Sequence, residues 1–292
     1  MTSGSSRRIL VGLIGANIQQ SISPALHEDA FAAIGVVGHY HLMDVDTLPG
    51  RTLEDLLAAA RTAGLAGVNV TFPFKEAVIP LLDAVSDEAR QIGAVNTVVI
   101  DGNGRTTGHN TDRSGFRAAF IEAFGKDAAR GKAVLQLGAG GAGRAVAFAL
   151  RDLGVASLRL YDRDTRRARN LCADLGRSCE VLDAPEPVAA SVAGIVNATP
   201  IGMTGHDGLP MTPEVVQSHQ VVADVIYTPL ETEFLKAAKA KGARTMGGAG
   251  MCVHQAVRAF ELFAGRSPDL ARMERTFLAA AAKRDVERED RP

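Results

Sequence analysis

The residues best suited to chemistry include a glycine run, Gly138-Ala139-Gly140-Gly141-Ala142-Gly143, set between the apolar stretch 133–137 and a helix-like stretch over 145–150. In that setting Gly138 permits a tight turn, Gly140 lets the backbone approach a pyrophosphate, and Gly143 allows a helix to pack closely on a strand. The helix N-terminus then offers N–H groups and positive potential to an anion. Such a turn is weak evidence by itself. Asp162 strengthens it, because it follows the next strand-like run, 157–161, at the spacing of a carboxylate that accepts hydrogen bonds from an adenosine ribose. An S-adenosylmethionine site uses the same two features. A tight βα turn with Asp162 capping the next helix is the purely structural alternative.

Polar residues also recur in four segments where a loop has no structural need of them. They are Ser21-Ile-Ser23-Pro24, Asn69-Val-Thr71-Phe-Pro73-Phe-Lys75, Asn96-Thr97 and Asn110-Thr-Asp112. A lysine can give or take a proton, and a carboxylate can orient an ammonium group. Serine hydroxyls can hold an anion without a full cation, and amides can both donate to and accept from a polar ligand. Each residue taken singly has a plain reading: Ser23 as a helix cap before Pro24, Asp112 as a cap, Lys75 as a solvated lysine, each Asn as a loop tether. Thr71 and Pro73 predict that Lys75 lies in the first turn of a helix, where the macrodipole disfavours a cation.

The elements that must position these residues alternate along the chain. Strand-like runs over 9–14, 39–45 and 65–72 alternate with helix-like stretches over 24–34 and 53–63, which reads as an α/β protein with largely parallel sheet. Leu26, Ala30 and Ala33 line one helix face, while Glu28 and Asp29 point to water. A second series has strands over 133–137, 157–161, 179–182, 194–197 and 221–226, and reads as a doubly wound, Rossmann-type nucleotide-binding domain. The turn-rich piece 101–105 and the helix-like stretch 114–124 separate the two series. Helices over 251–263 and 268–282 pack back on the first domain. The expected division is a substrate domain of residues 1–112 plus 249–292 and a dinucleotide-binding domain of residues 113–248, with a frayed mixed-charge tail from Lys283.

Composition bounds the rest. The 292 residues carry 32 basic and 33 acidic side chains, so no global field draws in nucleic acid or an anionic membrane. A polar start at residues 1–6 and the lack of a long apolar run predict a cytoplasmic protein with no membrane partner. Cys172, Cys179 and Cys252 contain no CxxC pair and are expected as free thiols. The histidines form no metal-ligand pattern, so no metal is expected.

In this order, and with Asn197-Ala-Thr199-Pro-Ile-Gly-Met203 and Gly250-Met251-Cys-Val-His254-Gln255 following, these segments closely resemble the shikimate dehydrogenase family, including its quinate/shikimate branch. The resemblance runs from about Leu10 to about Phe277. It implies that Lys75 and Asp112 are the catalytic pair, that Ser21, Ser23, Asn69, Thr71, Asn96, Tyr227 and Gln255 surround the substrate, and that Thr199, Gly248 and Met251 join the glycine turn, Asp162 and Arg163 in binding the cofactor. A homodimer is compatible with it. Many NADP-dependent relatives carry asparagine, arginine and threonine after the second strand, whereas here the run is Tyr161-Asp162-Arg163-Asp164-Thr165. Two carboxylates oppose a 2′-phosphate and Arg163 favours one, so NAD is the expected cofactor, with residual NADP use. Ser23 points to shikimate, because quinate-accepting relatives often have threonine there, while features of 227–255, including His254, resemble the quinate branch. A methyltransferase has no use for Lys75 and Asp112 together, and a non-catalytic nucleotide-binding protein has no reason to keep them.

Overall fold

The computed structural model describes residues 8–289, with side chains through residue 285. The polar start at residues 1–6 and the last three residues of the expected tail lie outside the described residues. Two compact units emerge: one takes in residues up to 111 together with those from 255 onward, the other residues 112–254. Among the described residues no helix is long and apolar enough to cross a membrane.

The first unit is built on strands β1 (Arg8–Gly15), β2 (Val37–Asp44), β3 (Gly67–Val70), β4 (Ala84–Val85), β5 (Thr97–Ile100) and β6 (Thr106–His109), with helices α1 (Ser23–Ala33), α2 (Leu53–Thr62) and α3 (Asp87–Ile92). The sheet order is β2-β1-β3-β5-β6-β4. It is mixed rather than largely parallel, because β5 runs antiparallel to both β3 and β6. The reason is the piece 101–105, expected between the domains: Asp101 Oδ1 accepts from the N–H of Asn103 and of Arg105, closing a hairpin between β5 and β6 inside this unit. Helix α2 starts on a capping box, with the Asp55 N–H donating to Thr52 Oγ1 and the Thr52 N–H donating back to the Asp55 carboxylate.

On α1, Leu26, His27, Ala30 and Phe31 are buried. A Cβ at Gly38 of β2 would lie 2.1 Å from the Phe31 ring, so glycine there admits the helix. Asp29, expected on a wet face, instead takes a bidentate pair from Arg272, at 2.7 and 2.8 Å, and a hydrogen bond from Thr276. Both partners lie on the last helix, α10 (Leu270–Glu289). That helix also corrects the expected tail, since it continues well past Lys283.

The second unit carries β7 (Ala133–Leu137), β8 (Ser157–Tyr161), β9 (Cys179–Val181), β10 (Gly194–Asn197), β11 (Val221–Asp224) and β12 (Arg244–Met246). Helices α4 (Asp112–Phe124), α5 (Gly141–Asp152), α6 (Thr165–Leu175), α7 (Glu186–Ala189), α8 (Glu233–Ala240) and the start of α9 (Gly248–Ala264) alternate with them. All neighbouring strands are parallel, in the order β12-β11-β10-β7-β8-β9. The order reverses direction at β7, and in doubly wound sheets ligands bind outside the carboxyl ends of the strands at that switch.

One cysteine expectation is overturned. Cys172 near the end of α6 and Cys179 at the start of β9 form a disulfide, with their Cα atoms 5.0 Å apart. The chain turns back at Gly176, whose φ of 80° is left-handed, and so brings together residues that no CxxC rule relates.

Candidate active site

Each unit holds one half of the expected set. In the first, the loop leading to Ser21 is fixed by the buried Asp44 carboxylate, which accepts from the N–H groups of Asn17, Ile18 and Asp46 and from the Gln19 amide. Burial pushes Asp44 up, and these hydrogen bonds more than offset it, leaving the group below the usual aspartate range. Ser21 Oγ donates to Ser23 Oγ at 3.2 Å and accepts from the Ser23 N–H. The cap of α1 is Ile22, with no side-chain cap bond, so the plain reading of Ser23 as the helix cap does not hold.

The amide-bearing residues form one chain of hydrogen bonds across β3, β5 and the segment after β6. The Tyr40 hydroxyl donates to Asn69 Oδ1 at 2.9 Å, and Asn69 Nδ2 donates to Thr97 Oγ1 and to the Asn96 carbonyl. Asn96 Oδ1 accepts from the Thr111 N–H at 2.8 Å, and Asn96 Nδ2 donates to Thr111 Oγ1 at 2.9 Å. Thr111 Oγ1 in turn donates to Gln255 Oε1 at 3.3 Å. Asn69 thus commits both amide hydrogens to neighbours, while its Oδ1 accepts from Tyr40 and keeps a second lone pair. Tyr40 was missed from the sequence, where it looked like an ordinary strand residue. Thr97 and Thr111 stood within the polar segments Asn96-Thr97 and Asn110-Thr-Asp112 but were given no role of their own.

Thr71 follows β3 and packs against Gly15, where an added Cβ would fall 2.4 Å from Thr71 Cγ2. Lys75 follows four residues later, half-buried, in a series of turns rather than in the first turn of a helix. The Val95 N–H donates to the Lys75 carbonyl at 2.8 Å and anchors that turn beside Asn96. The helix-end argument for Lys75 is therefore withdrawn. The next regular helix along the chain is a short 3-10 turn at Ile79–Leu81.

In the second unit Asp112 is the buried first residue of α4, where a carboxylate suits the positive end of the helix. The glycine turn follows β7 as expected. Gly138 has φ of 101°, and a Cβ there would lie 2.7 Å from the Ala198 carbonyl oxygen, so only glycine fits. A Cβ at Gly143 would lie 2.3 Å from the Gly138 carbonyl oxygen. At Gly140 the corresponding space is open to 4 Å, and α5 begins there with no side-chain cap. A helix N-terminus without a side-chain cap leaves N–H groups that can donate to an anion.

Asp162 Oδ2 accepts from the Ala139 N–H at 2.7 Å, and Oδ1 accepts from the Asp164 N–H at 2.8 Å. Each oxygen keeps acceptor capacity for a ribose hydroxyl. The helix cap beyond it is Asp164, which accepts from the N–H groups of Arg166 and Arg167, so Asp162 is not spent on capping. Asp164 lies 3.6 Å from Arg167, not beside Arg163, which is exposed. Across the turn, Thr199 donates to Asn197 Oδ1 at 2.7 Å, and Asn197 Nδ2 donates to both oxygens of Asp224. Burial pushes the Asp224 carboxyl up to about 6, against donors on Ile226, Asn197 and Thr232. Asp224 was missed because an acidic residue ending a strand run has no distinctive spacing. Tyr227 lies half-buried after β11, and Gly248 at the start of α9 is obligatory, since a Cβ would come within 2.1 Å of the Val225 carbonyl oxygen. Met251 is buried on the same helix.

Comparison with known proteins agrees with this geometry. The description "Shikimate dehydrogenase substrate binding domain" matches residues 13–98, and "Shikimate 5'-dehydrogenase C-terminal domain" matches residues 248–276. A quinate/shikimate dehydrogenase (NAD(+)) of Corynebacterium efficiens is 46% identical over 280 residues, covering 93% of this chain and 98% of that protein. The chain belongs to the shikimate dehydrogenase family. A shikimate dehydrogenase (NADP(+)) of Streptomyces avermitilis is 45% identical over 273 residues, covering 90% of this chain and 93% of that one. The solved quinate dehydrogenase from Corynebacterium glutamicum in complex with NAD superposes with a TM-score of 0.88 at 45% identity, covering 94% of this chain and all of the other. Relatives named for NAD and for NADP thus have nearly equal identity, and overall similarity does not choose between the cofactors.

Proposed function

We propose that this family member is a cytoplasmic, NAD-preferring dehydrogenase that interconverts shikimate and 3-dehydroshikimate, and accepts quinate and 3-dehydroquinate at the same site. The observation that carries the reading is the Asp162 carboxylate, held by the Ala139 N–H at the mouth of an uncapped glycine turn. In the proposed roles Ser21 and Ser23 hold the substrate carboxylate, while Asn96 and Gln255 hold ring hydroxyls, their amides oriented by Thr111. Thr71 and Tyr227 complete the substrate wall. In the oxidative direction the Lys75 amine takes the proton from the ring hydroxyl as the carbon gives up its hydride, and Asp112 steadies the ammonium that results. NAD would supply the hydride acceptor when bound, and Thr199, Gly248 and Met251 would help to hold it. The test is the absorbance of reduced nicotinamide on mixing the protein with shikimate or quinate and either cofactor. Turnover with neither acid overturns the proposal.

Two cofactor predictions follow from the turn. Gly140→Ala is expected to leave thermal stability near wild type while weakening NADH binding, because the new methyl group meets only open space meant for the ligand. Gly138→Ala is expected to lower stability as well, since the methyl collides with backbone at a left-handed φ. Equal melting temperatures for the two variants contradict this. Asp162→Asn is expected to narrow the preference for NAD over NADP, since it removes the charge that a 2′-phosphate would face. An unchanged ratio of kcat/KM for the two cofactors shows that the preference is set elsewhere.

A further inference from the structure

Gln136 is a fully buried polar residue on β7, on the face opposite the apolar cluster that contains Leu135 and Leu137. Its Nε2 donates to the Gly138 carbonyl and to the Gly143 carbonyl, both at 2.8 Å. One amide thereby ties the start of the glycine turn to the first turn of α5. Among the described residues its Oε1 accepts no hydrogen bond. A buried acceptor left unpaired is unfavourable, and leucine or valine would fill the site without that penalty.

The two bonds to Nε2 matter because of peptide geometry. The carbonyl of Gly138 and the N–H of Ala139 belong to one planar peptide and point in opposite directions. Gln136 holds the carbonyl inward, which turns the Ala139 N–H outward, and that N–H is the group bound to Asp162 Oδ2 at 2.7 Å. Gln136 and Asp162 therefore grip the same peptide from its two sides. With the Gln136 grip removed, the peptide is freer to rotate, and Asp162 loses one of the two donors that together set its carboxylate plane, keeping only the Asp164 N–H.

We propose that Gln136 is a positioning residue for cofactor recognition, which acts through the Gly138–Ala139 peptide to aim the Asp162 carboxylate at the adenosine ribose. The inference rests on the dinucleotide reading of this turn and deepens it. Gln136 touches no ligand. Its effect is on the tightness and selectivity of nucleotide binding, and not on proton transfer.

The experiment measures NADH and NADPH binding by nicotinamide fluorescence, without substrate, for wild type, Q136M, D162N and the double variant. Methionine matches glutamine in length and flexibility but donates nothing. The expected result is a loss of NADH affinity on the order of tenfold in Q136M, the weight of one or two hydrogen bonds, with NADPH affected less. The KM for shikimate and kcat at saturating NAD should change little. The effects of Q136M and D162N should be less than additive, because both act on one carboxylate. NADH affinity in Q136M within about twofold of wild type, or full additivity, overturns the proposal. A lower melting temperature with unchanged nucleotide selectivity is the signature of a merely structural role and overturns it too. In the wild-type protein the side-chain amide protons of Gln136 are expected to exchange slowly with solvent. Rapid exchange overturns the proposal even where Q136M does not fold. Wild-type protein that binds neither nucleotide overturns the dinucleotide reading, and the proposal with it.

Discussion

Lys75→Ala is expected to lose about 10²–10⁴-fold in turnover of shikimate with NAD, the usual weight of a general acid–base group, while its affinity for NADH stays near wild type. The separation of effects follows from placement. Lys75 sits on a turn of the first unit anchored by the Val95 N–H, whereas the glycine turn and Asp162 belong to the second. Asp112→Asn keeps the shape at the start of α4 and removes the charge assigned to steadying the ammonium in the proposed mechanism, so a comparable fall in kcat is expected. Steady-state rates and NADH titration on the same preparations check both. A loss of only a few-fold in each variant removes the pair from the mechanism. A parallel loss of NADH affinity shows instead that the substitutions disturb the fold.

The second large effect concerns acid stability and a residue outside the catalytic set. His27 lies on the buried face of α1, stacked on Tyr40 with ring centroids 4.8 Å apart, and its Nδ1 has no hydrogen-bond partner among the described residues. Burial pushes its pKa down to about 3 from 6.5. The folded state thus binds fewer protons here than the unfolded chain, and stability is lost as pH falls from 6.5 towards 3. Because the unfolded histidine is already half-protonated at pH 6.5, the loss between pH 6.5 and 4.5 is about 2 kcal/mol. Asp224 acts with opposite sign. Its folded pKa of about 6 exceeds the ordinary 3.8, so stability is gained as pH falls through that interval. The two effects are of similar size, so the raw pH curve of the wild type reveals neither. The difference between wild type and His27→Phe isolates the histidine. Urea unfolding at pH 6.5, 5.5 and 4.5 is expected to show the variant gaining relative to wild type at each step. A constant difference across the three values rules out a buried neutral His27.

Much of the second unit was legible because parallel strands buried on both faces leave short continuous apolar runs between turn signals. The strands at 133–137, 157–161 and 194–197 match the expected spans to the residue. The first unit was less legible. Its β5–β6 hairpin turns on Asp101-Gly-Asn-Gly, a signal that fits a linker as well as a tight turn, and only pairing with β3 shows which it is. Lys75 was misplaced on a helix because Pro73 is compatible with a helix start, and nothing local reports that the Val95 N–H claims the Lys75 carbonyl.

By itself the sequence determined the order of the chemical parts: serines ahead of a helix, an amide-rich strand end, a lysine, an Asn-Thr-Asp segment, a glycine turn and an acidic residue one strand later. These are readable because each depends on residue type and local spacing, and glycine, proline and carboxylate carry their constraints with them. The tertiary structure alone decided which polar groups are spent and which remain available to a ligand. It committed the Asn69 amide to Thr97 and Asn96, gave the cap of α6 to Asp164 so that Asp162 keeps capacity for a ribose, joined Cys172 to Cys179, and buried His27 and Gln136 where their environment changes what they do. Those outcomes depend on partners distant in sequence and on the exclusion of water, and a hydrogen bond or a shifted pKa belongs to the pair and its surroundings rather than to either residue alone.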